Sequence, residues 1–203
     1  EQHYGVPHKE ITWVVDRSED VPFDPPPGLK IEMIPAGKSM DTMLAEGEIP
    51  VMINPYIPQP MVGGDRRVAR LFPDYKAVER EYFQQTGIFP IMHVTVIKQE
   101  IVDKYPGAAI SLVKAFEKAK QIAYKRLANP RITPLAWVRT EYEEERKLLG
   151  PDPWAYGLGE SNRKNLETII DYCQRQGLIR KAQPVDELFI DTDPEDGGDV
   201  DHV

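Results

Sequence analysis

The alternation of apolar and polar residues along the chain predicts four strands in its first half. Three short runs, 11–15, 30–34 and 49–54, are apolar or rich in β-branched residues, and the second of them alternates with a period of two. A longer run, 89–97, is apolar except for one histidine and a threonine, and it predicts a buried strand. A serine-capped helix between the second and third runs completes the order strand, strand, helix, strand, which is typical of an α/β protein.

The pattern becomes helical beyond about residue 100. Apolar side chains recur on one face of 107–128, and a threonine followed by a first-turn proline predicts a helix from about 133 to Gly150. A last apolar stripe ends at Gly177, and an earlier helix extends from Asp74 to about Gln85. We therefore predict strands in the first half of the chain and helices in the second.

Composition narrows the class of protein. The 203 residues are 41% hydrophobic and 29% charged, as in ordinary globular proteins, and no apolar run approaches the ~20 residues that cross a bilayer. A net charge of −8 disfavours nucleic acid as a partner. The single cysteine, Cys173, excludes an internal disulfide framework and makes a structural zinc site unexpected, so we expect no metal and no cofactor.

The two ends of the chain look different from its body. The start lacks a methionine and resembles the end of a helix, with Gly5 and then Pro7, so we expect an N-terminal portion to be missing. Six acidic residues lie between 191 and 201 without a basic one, which predicts a disordered acidic tail over 186–203.

The common catalytic motifs do not occur. The sequence contains no GxGxxG or GxxxxGK[ST] phosphate loop, no HExxH zinc helix and no GxSxG nucleophile elbow. Kinase, nicotinamide-dependent and familiar hydrolase functions therefore lose their main support.

His93 is the sharpest candidate for chemistry. On a strand it would share a face with Ile91 and Thr95, and an imidazole there could donate or accept a proton near neutral pH. The alternative is a core histidine whose nitrogen bonds a backbone carbonyl. Both interpretations assume that 89–97 is buried.

Two adjacent arginines could bind a carboxylate. Arg66 and Arg67 follow a flexible Gly-Gly pair, and guanidinium forms two-pronged, charge-assisted pairs with carboxylates. The alternative is a solvated turn in which these arginines pair with Asp65 or Asp74.

Three more polar residues lie in loop-like or Pro-rich surroundings and are candidates for substrate binding: Asn54, Tyr156 and Asn162. Tyr156 could form part of an aromatic pocket wall. Packing for the tyrosine and helix capping for Asn162 are the alternatives.

Several phrases of the sequence together resemble the 4,5-dihydroxyphthalate decarboxylase family. They are Leu71-Phe72-Pro73-Asp74-Tyr75 with Glu79 and Tyr82, Thr86-Gly87-Ile88-Phe89-Pro90-Ile91-Met92-His93-Val94, and Trp154-Ala155-Tyr156-Gly157-Leu158 with Asn162-Arg163-Lys164. The similarity spans about Tyr4 to Leu178, and the segment ending at His93 is its most specific part. The loop 54–61 and the acidic tail depart from it.

The resemblance implies a type II periplasmic-binding-protein-like fold, in which two α/β lobes close over a small ligand. On this chain it implies that residues 1–89 are a second lobe with a truncated start. Residues 90–185 would then form a hinge strand and a helical return to the first lobe.

The resemblance also implies a carboxy-lyase that converts 4,5-dihydroxyphthalate to protocatechuate, acting in the cytoplasm. We assign acid/base chemistry to His93 and carboxylate anchoring to Arg66 or Arg67 from their position and chemistry. The alternative is a periplasmic solute-binding protein that delivers an aromatic carboxylate to a transporter. In either case the expected partner is a small aromatic carboxylate, with no nucleic acid and no membrane, and a homo-oligomer is left open.

Overall fold

The sheet in the computed structural model, which describes residues 3–19 and 24–192, is a pair of parallel strands. β1, Thr12–Val15, pairs with β2, Lys30–Met33, so that Trp13 lies opposite Ile31. A 3-10 turn at His8–Glu10 precedes β1, and the Trp13 indole donates to the His8 carbonyl at 3.1 Å. The first two predicted strands are confirmed.

Eight helices follow in the described part of the chain. They are α1 Met40–Ala45, α2 Gln59–Val62, α3 Tyr75–Thr86, α4 Gln99–Lys104, α5 Ala108–Leu127, α6 Val138–Leu149, α7 Glu160–Arg175 and α8 Val185–Leu188. The predicted helices at 74–85 and 107–128 are confirmed within a residue or two, whereas α6 begins five residues later than Thr133. The chain is therefore a mixed, mainly helical protein with a small sheet, which is compatible with the α/β class.

Local capping explains where α1 begins and where α3 ends. The Ser39 hydroxyl accepts from the Thr42 amide at 3.2 Å, as the sequence predicts for the start of α1. Gly87 follows α3 in the left-handed region at φ 65°, and a Cβ there would lie 3.1 Å from the Lys164 Nζ. That ammonium donates to the Thr86 carbonyl at the end of α3, so a side chain at position 87 would disturb the cap.

The described residues divide into two compact units. One contains the chain up to Glu79 together with Cys173–Arg180, and its buried apolar residues are Met43 and Ile49. The other contains Arg80–Tyr172 and the chain from Lys181 onward. The lobe boundary predicted near residue 89 stays a prediction.

The second unit has a small apolar core between α7 and α8. Leu158, Leu166 and Val185 are buried together, and Ile170 and Phe189 pack against them. Residues 186–189 were predicted to begin the disordered tail, but α8 and the packing of Phe189 give them defined structure. The acidic residues from 193 onward lie outside the described residues.

The strands predicted at 49–54 and 89–97 do not form. Both segments are irregular, and side chains such as Ile53 and Val96 are 85% and 87% exposed. A strand requires backbone partners, and within the described residues neither 50–57 nor 89–97 makes a backbone-to-backbone hydrogen bond. The apolar pattern was identified correctly, but the pairing that would convert it into a strand is not made there.

Candidate functional site

His93 lies on an exposed, irregular segment between α3 and α4. The side chains on either side of it, Met92 and Val94, are 74% and 56% exposed. The prediction of an interior histidine is wrong, and so is the alternative of a core histidine held by a carbonyl. An exposed imidazole can still exchange protons with a ligand and with solvent, so its acid/base role stays a prediction.

The two arginines differ in what their guanidinium groups contact. Arg67 turns back onto Asp65, with Nε 3.1 Å from both carboxylate oxygens and Nη2 2.7 Å from Oδ2. The side-chain hydrogen bonds from Arg67, followed by the one from its backbone amide, hold the pKa of Asp65 down at about 2. The described residues offer Arg66 no such partner, and its side chain is exposed. Surface pairing, the alternative for both arginines, therefore holds for Arg67.

A cleft of about 450 Å³ lies beside Arg67, between α1 and α2. Three of its lining residues are acidic, namely Asp41, Glu46 and Asp65, and Arg67 is the basic residue among them. The carboxylate of Asp41 already has a hydrogen-bond partner, since it accepts from the backbone amide of Gln59 at 3.0 Å. With more carboxylates than cations, this cleft is electrostatically unsuited to an aromatic dicarboxylate.

Asn54 has a local structural contact. Its side-chain oxygen accepts from the Tyr56 amide at 2.9 Å, which forms a tight Asx turn in the exposed segment before α2. The turn explains an asparagine at this position without a ligand, and the predicted substrate contact stays a prediction.

Tyr156 and Asn162 are brought together by the loop that joins α6 to α7, residues 150–159, hereafter the 150–159 loop. Asn162, in the first turn of α7, donates through Nδ2 to the Ala155 and Gly157 carbonyls at 2.8 and 2.9 Å. Tyr156 stays 46% exposed while its ring lies 6.0 Å from that of Phe116. Asn162 thus fixes the backbone on both sides of Tyr156, a role that neither of the sequence-based interpretations identified.

The same loop is held by a lysine that the sequence did not single out. Lys120, on α5, is buried, and its ammonium lies 2.5 Å from Asp152 Oδ2 and 3.3 Å from the Trp154 carbonyl. The Tyr124 hydroxyl donates to the other Asp152 oxygen at 2.7 Å. Burial first, and then this carboxylate, raise the pKa of Tyr124 above its usual range. The spacing of Phe116, Lys120 and Tyr124 by four residues on one helix was the signal available in the sequence.

The predicted site residues fall into two groups. Asn54, Arg66 and Arg67 belong to the first unit, and His93, Tyr156 and Asn162 belong to the second. Among the described residues, no set of three or more His, Cys, Asp or Glu side chains is arranged to hold a metal ion. Over those same ranges, every helix is too short or too polar to cross a bilayer.

Comparison with known proteins shows similarity to a member of one class of enzyme, the decarboxylases. No family model matches the chain. Over 198 residues, 93% of its length, the chain is 31% identical to a curated protein of that class.

That protein is 4,5-dihydroxyphthalate decarboxylase of Comamonas testosteroni. The predicted resemblance is therefore confirmed, since the chain is similar to this decarboxylase over most of its own length. It spans 59% of the length of the relative that it matches.

Proposed function

We propose that the protein is a decarboxylase that removes one carboxylate from 4,5-dihydroxyphthalate, or from a similar aromatic acid, to give protocatechuate or its analogue. The observation that most supports this proposal is the 31% identity over 198 residues to 4,5-dihydroxyphthalate decarboxylase. Because the chain spans 59% of that enzyme, we propose the activity for the full-length protein. We also propose for it the two-lobed, type II periplasmic-binding-protein-like fold.

The reaction requires an acid near the ring and an anchor away from it. The bond between the ring carbon and the leaving carboxylate breaks, carbon dioxide departs, and the electron pair left on the ring carbon takes up a proton. The hydroxyl groups of the substrate donate electron density to the ring and so favour protonation of that carbon. His93, which is exposed and carries an imidazole, is the proposed proton donor.

Arg66 is the proposed anchor for the carboxylate that stays on the ring. The guanidinium of its neighbour Arg67 is already paired with Asp65, whereas Arg66 makes no ion pair with the described residues. A guanidinium without a carboxylate partner can form a two-pronged, charge-assisted pair with a substrate.

Product analysis of the purified full-length protein tests this function. Incubation with 4,5-dihydroxyphthalate should release carbon dioxide and protocatechuate in equal amounts. Phthalate is the matched control, since it has both carboxylates but lacks the hydroxyl groups, and it should release none. Binding of 4,5-dihydroxyphthalate without release would favour the solute-binding protein, and the absence of both binding and release would refute the proposal.

Substitution of His93 tests the assigned acid. His93→Gln should lose about 10²- to 10⁴-fold in turnover, the contribution usual for a general acid or base, while the circular dichroism spectrum stays unchanged. His3→Gln, at another exposed histidine, is the control and should keep its turnover. Turnover retained in His93→Gln would contradict the assignment.

A further inference from the structure

The 150–159 loop is attached to α5 through one buried ammonium group. The side chain of Lys120 is 5% exposed, although lysine is among the residues least often buried without a partner. Removing a cation from water costs free energy that only closely placed acceptors can offset. The groups that surround Lys120, and the segments of the chain to which they belong, therefore show what the buried ammonium holds in place.

Three oxygen atoms lie close to this ammonium. Glu117 Oε2, one turn earlier on α5, lies 2.7 Å from Lys120 Nζ. Asp152 Oδ2 lies 2.5 Å away and the Trp154 carbonyl 3.3 Å away, and both belong to the 150–159 loop. Both hydrogen bonds of this ammonium therefore hold the loop, and its contact with Glu117 is an ion pair within α5.

Tyr156 lies against the same ammonium. Lys120 Nζ is 5.0 Å from the centre of the Tyr156 ring, within the range of a cation–π contact. Phe116, one turn before Lys120 on α5, lies against that ring as well, at 6.0 Å between centroids. The position of the Tyr156 side chain therefore depends on α5 as well as on its own loop.

The loop has a second attachment that does not involve Lys120. Asn162 holds the Ala155 and Gly157 carbonyls, and Leu158 is buried in the core with Leu166 and Val185. Loss of Lys120 should consequently loosen residues 152–154 more than residues 157–159. Such a difference in mobility between two parts of one loop is expected if Lys120 holds only the first part, and hydrogen exchange can measure it.

We propose that Lys120 is a positioning residue, which holds the 150–159 loop against α5 and so presents the ring of Tyr156 to an aromatic carboxylate. The part of the inference that concerns the ligand rests on the proposed function. The part that concerns the loop does not. Lys120 itself is too deeply buried to contact a ligand, so it acts through Tyr156.

Hydrogen exchange of Lys120→Met in the full-length protein tests the attachment. Methionine keeps the length of the side chain and removes its charge, and Asp152 and Glu117, 36% and 33% exposed, can then be hydrated. We expect the amides of residues 152 and 154, which flank a proline, to exchange about tenfold faster, the size of one lost hydrogen bond to a charged group, with little change at 157–159. Lys118→Met, on the exposed side of the same helix, is the control and should leave the loop unchanged.

A second variant keeps the test decisive if Lys120→Met does not fold. Asp152→Asn keeps the shape of the acceptor and removes its charge, and it should accelerate exchange of the residue 154 amide in the same way. Unchanged exchange in this variant, or in a folded Lys120→Met protein, would overturn the attachment.

The ligand is tested by titration with 4,5-dihydroxyphthalate, measured both as binding and as turnover. Lys120→Met should raise the dissociation constant and KM by about tenfold and change kcat much less, because a binding contact is lost and not the acid. Lys120→Arg should recover part of the affinity, since it restores the charge but cannot reach all three acceptors with a planar group. Faster exchange with unchanged affinity would overturn the role of Lys120 in positioning Tyr156. A wild-type protein that neither binds nor decarboxylates the acid would refute the proposed function, and the exchange rates would then decide the loop attachment alone.

Discussion

Replacing the two adjacent arginines one at a time compares Arg66, whose guanidinium is available to a substrate, with Arg67, whose guanidinium is paired with Asp65. Arg66→Met and Arg67→Met remove the same charge at neighbouring positions of one turn. If Arg66 anchors the substrate, the two variants should differ strongly. If charge near the turn is all that matters, they should behave alike.

The expected difference follows from the contacts. A charge-assisted hydrogen bond to a ligand contributes about 1.5–3 kcal/mol, so Arg66→Met should raise KM by roughly 10- to 100-fold. Arg67 is already paired with Asp65 on the surface, where its own side chain is 63% exposed. Because its guanidinium is occupied by Asp65 and is not available to a ligand, Arg67→Met should change KM much less than Arg66→Met.

The assay is the rate of protocatechuate formation over a range of 4,5-dihydroxyphthalate concentrations, with the wild-type protein measured in parallel. A rise in KM at nearly constant kcat is expected for Arg66→Met, because anchoring is retained throughout the reaction. Equal losses in both variants, or an unchanged KM in Arg66→Met, would refute the reasoning that distinguishes them.

Two further predictions concern charge and packing. The carbon NMR titration of Asp65 should have its midpoint at about 2 and return toward 3.8 in Arg67→Met. Because the folded pKa is the lower one, any stability from this pair is present above pH 4 and is lost as the pH falls toward 2. Leu166→Ala should lower the free energy of unfolding in urea by about 2–3 kcal/mol, at the low end for a core leucine because the cluster is small. Ile169→Ala, on the same helix but 53% exposed, should lower it by less than about 1 kcal/mol, and equal losses would contradict this core.

Elements with local signals were predictable from the sequence. The Ser39 cap, the Asp74 start and the Gly87 end involve residues within one or two turns of one another, so a single stretch of chain contains the whole signal. The parallel strands were also found, because each has its own β-branched and alternating pattern. Their pairing was not predicted.

What failed depended on partners distant in sequence. The run 89–97 has a strand composition, but a strand also needs a neighbouring backbone, and periodicity does not reveal whether one is present. His93 was predicted to be buried because it lies in this run, so that prediction failed for the same reason. Lys120 was missed for the converse reason, since a lysine on a helix is usually solvated and its two hydrogen-bond acceptors on the loop lie 32 and 34 residues away.

The charges around Lys120 have a consequence for how a ligand reaches the protein. One ammonium faces two carboxylates, Glu117 and Asp152, so by formal charge the three groups sum to −1. The cation that holds the loop therefore exerts no net attraction on an approaching anion. With these 203 residues at −8, a dianionic aromatic acid would meet repulsion at long range, and added salt should speed its encounter with this chain by screening that repulsion.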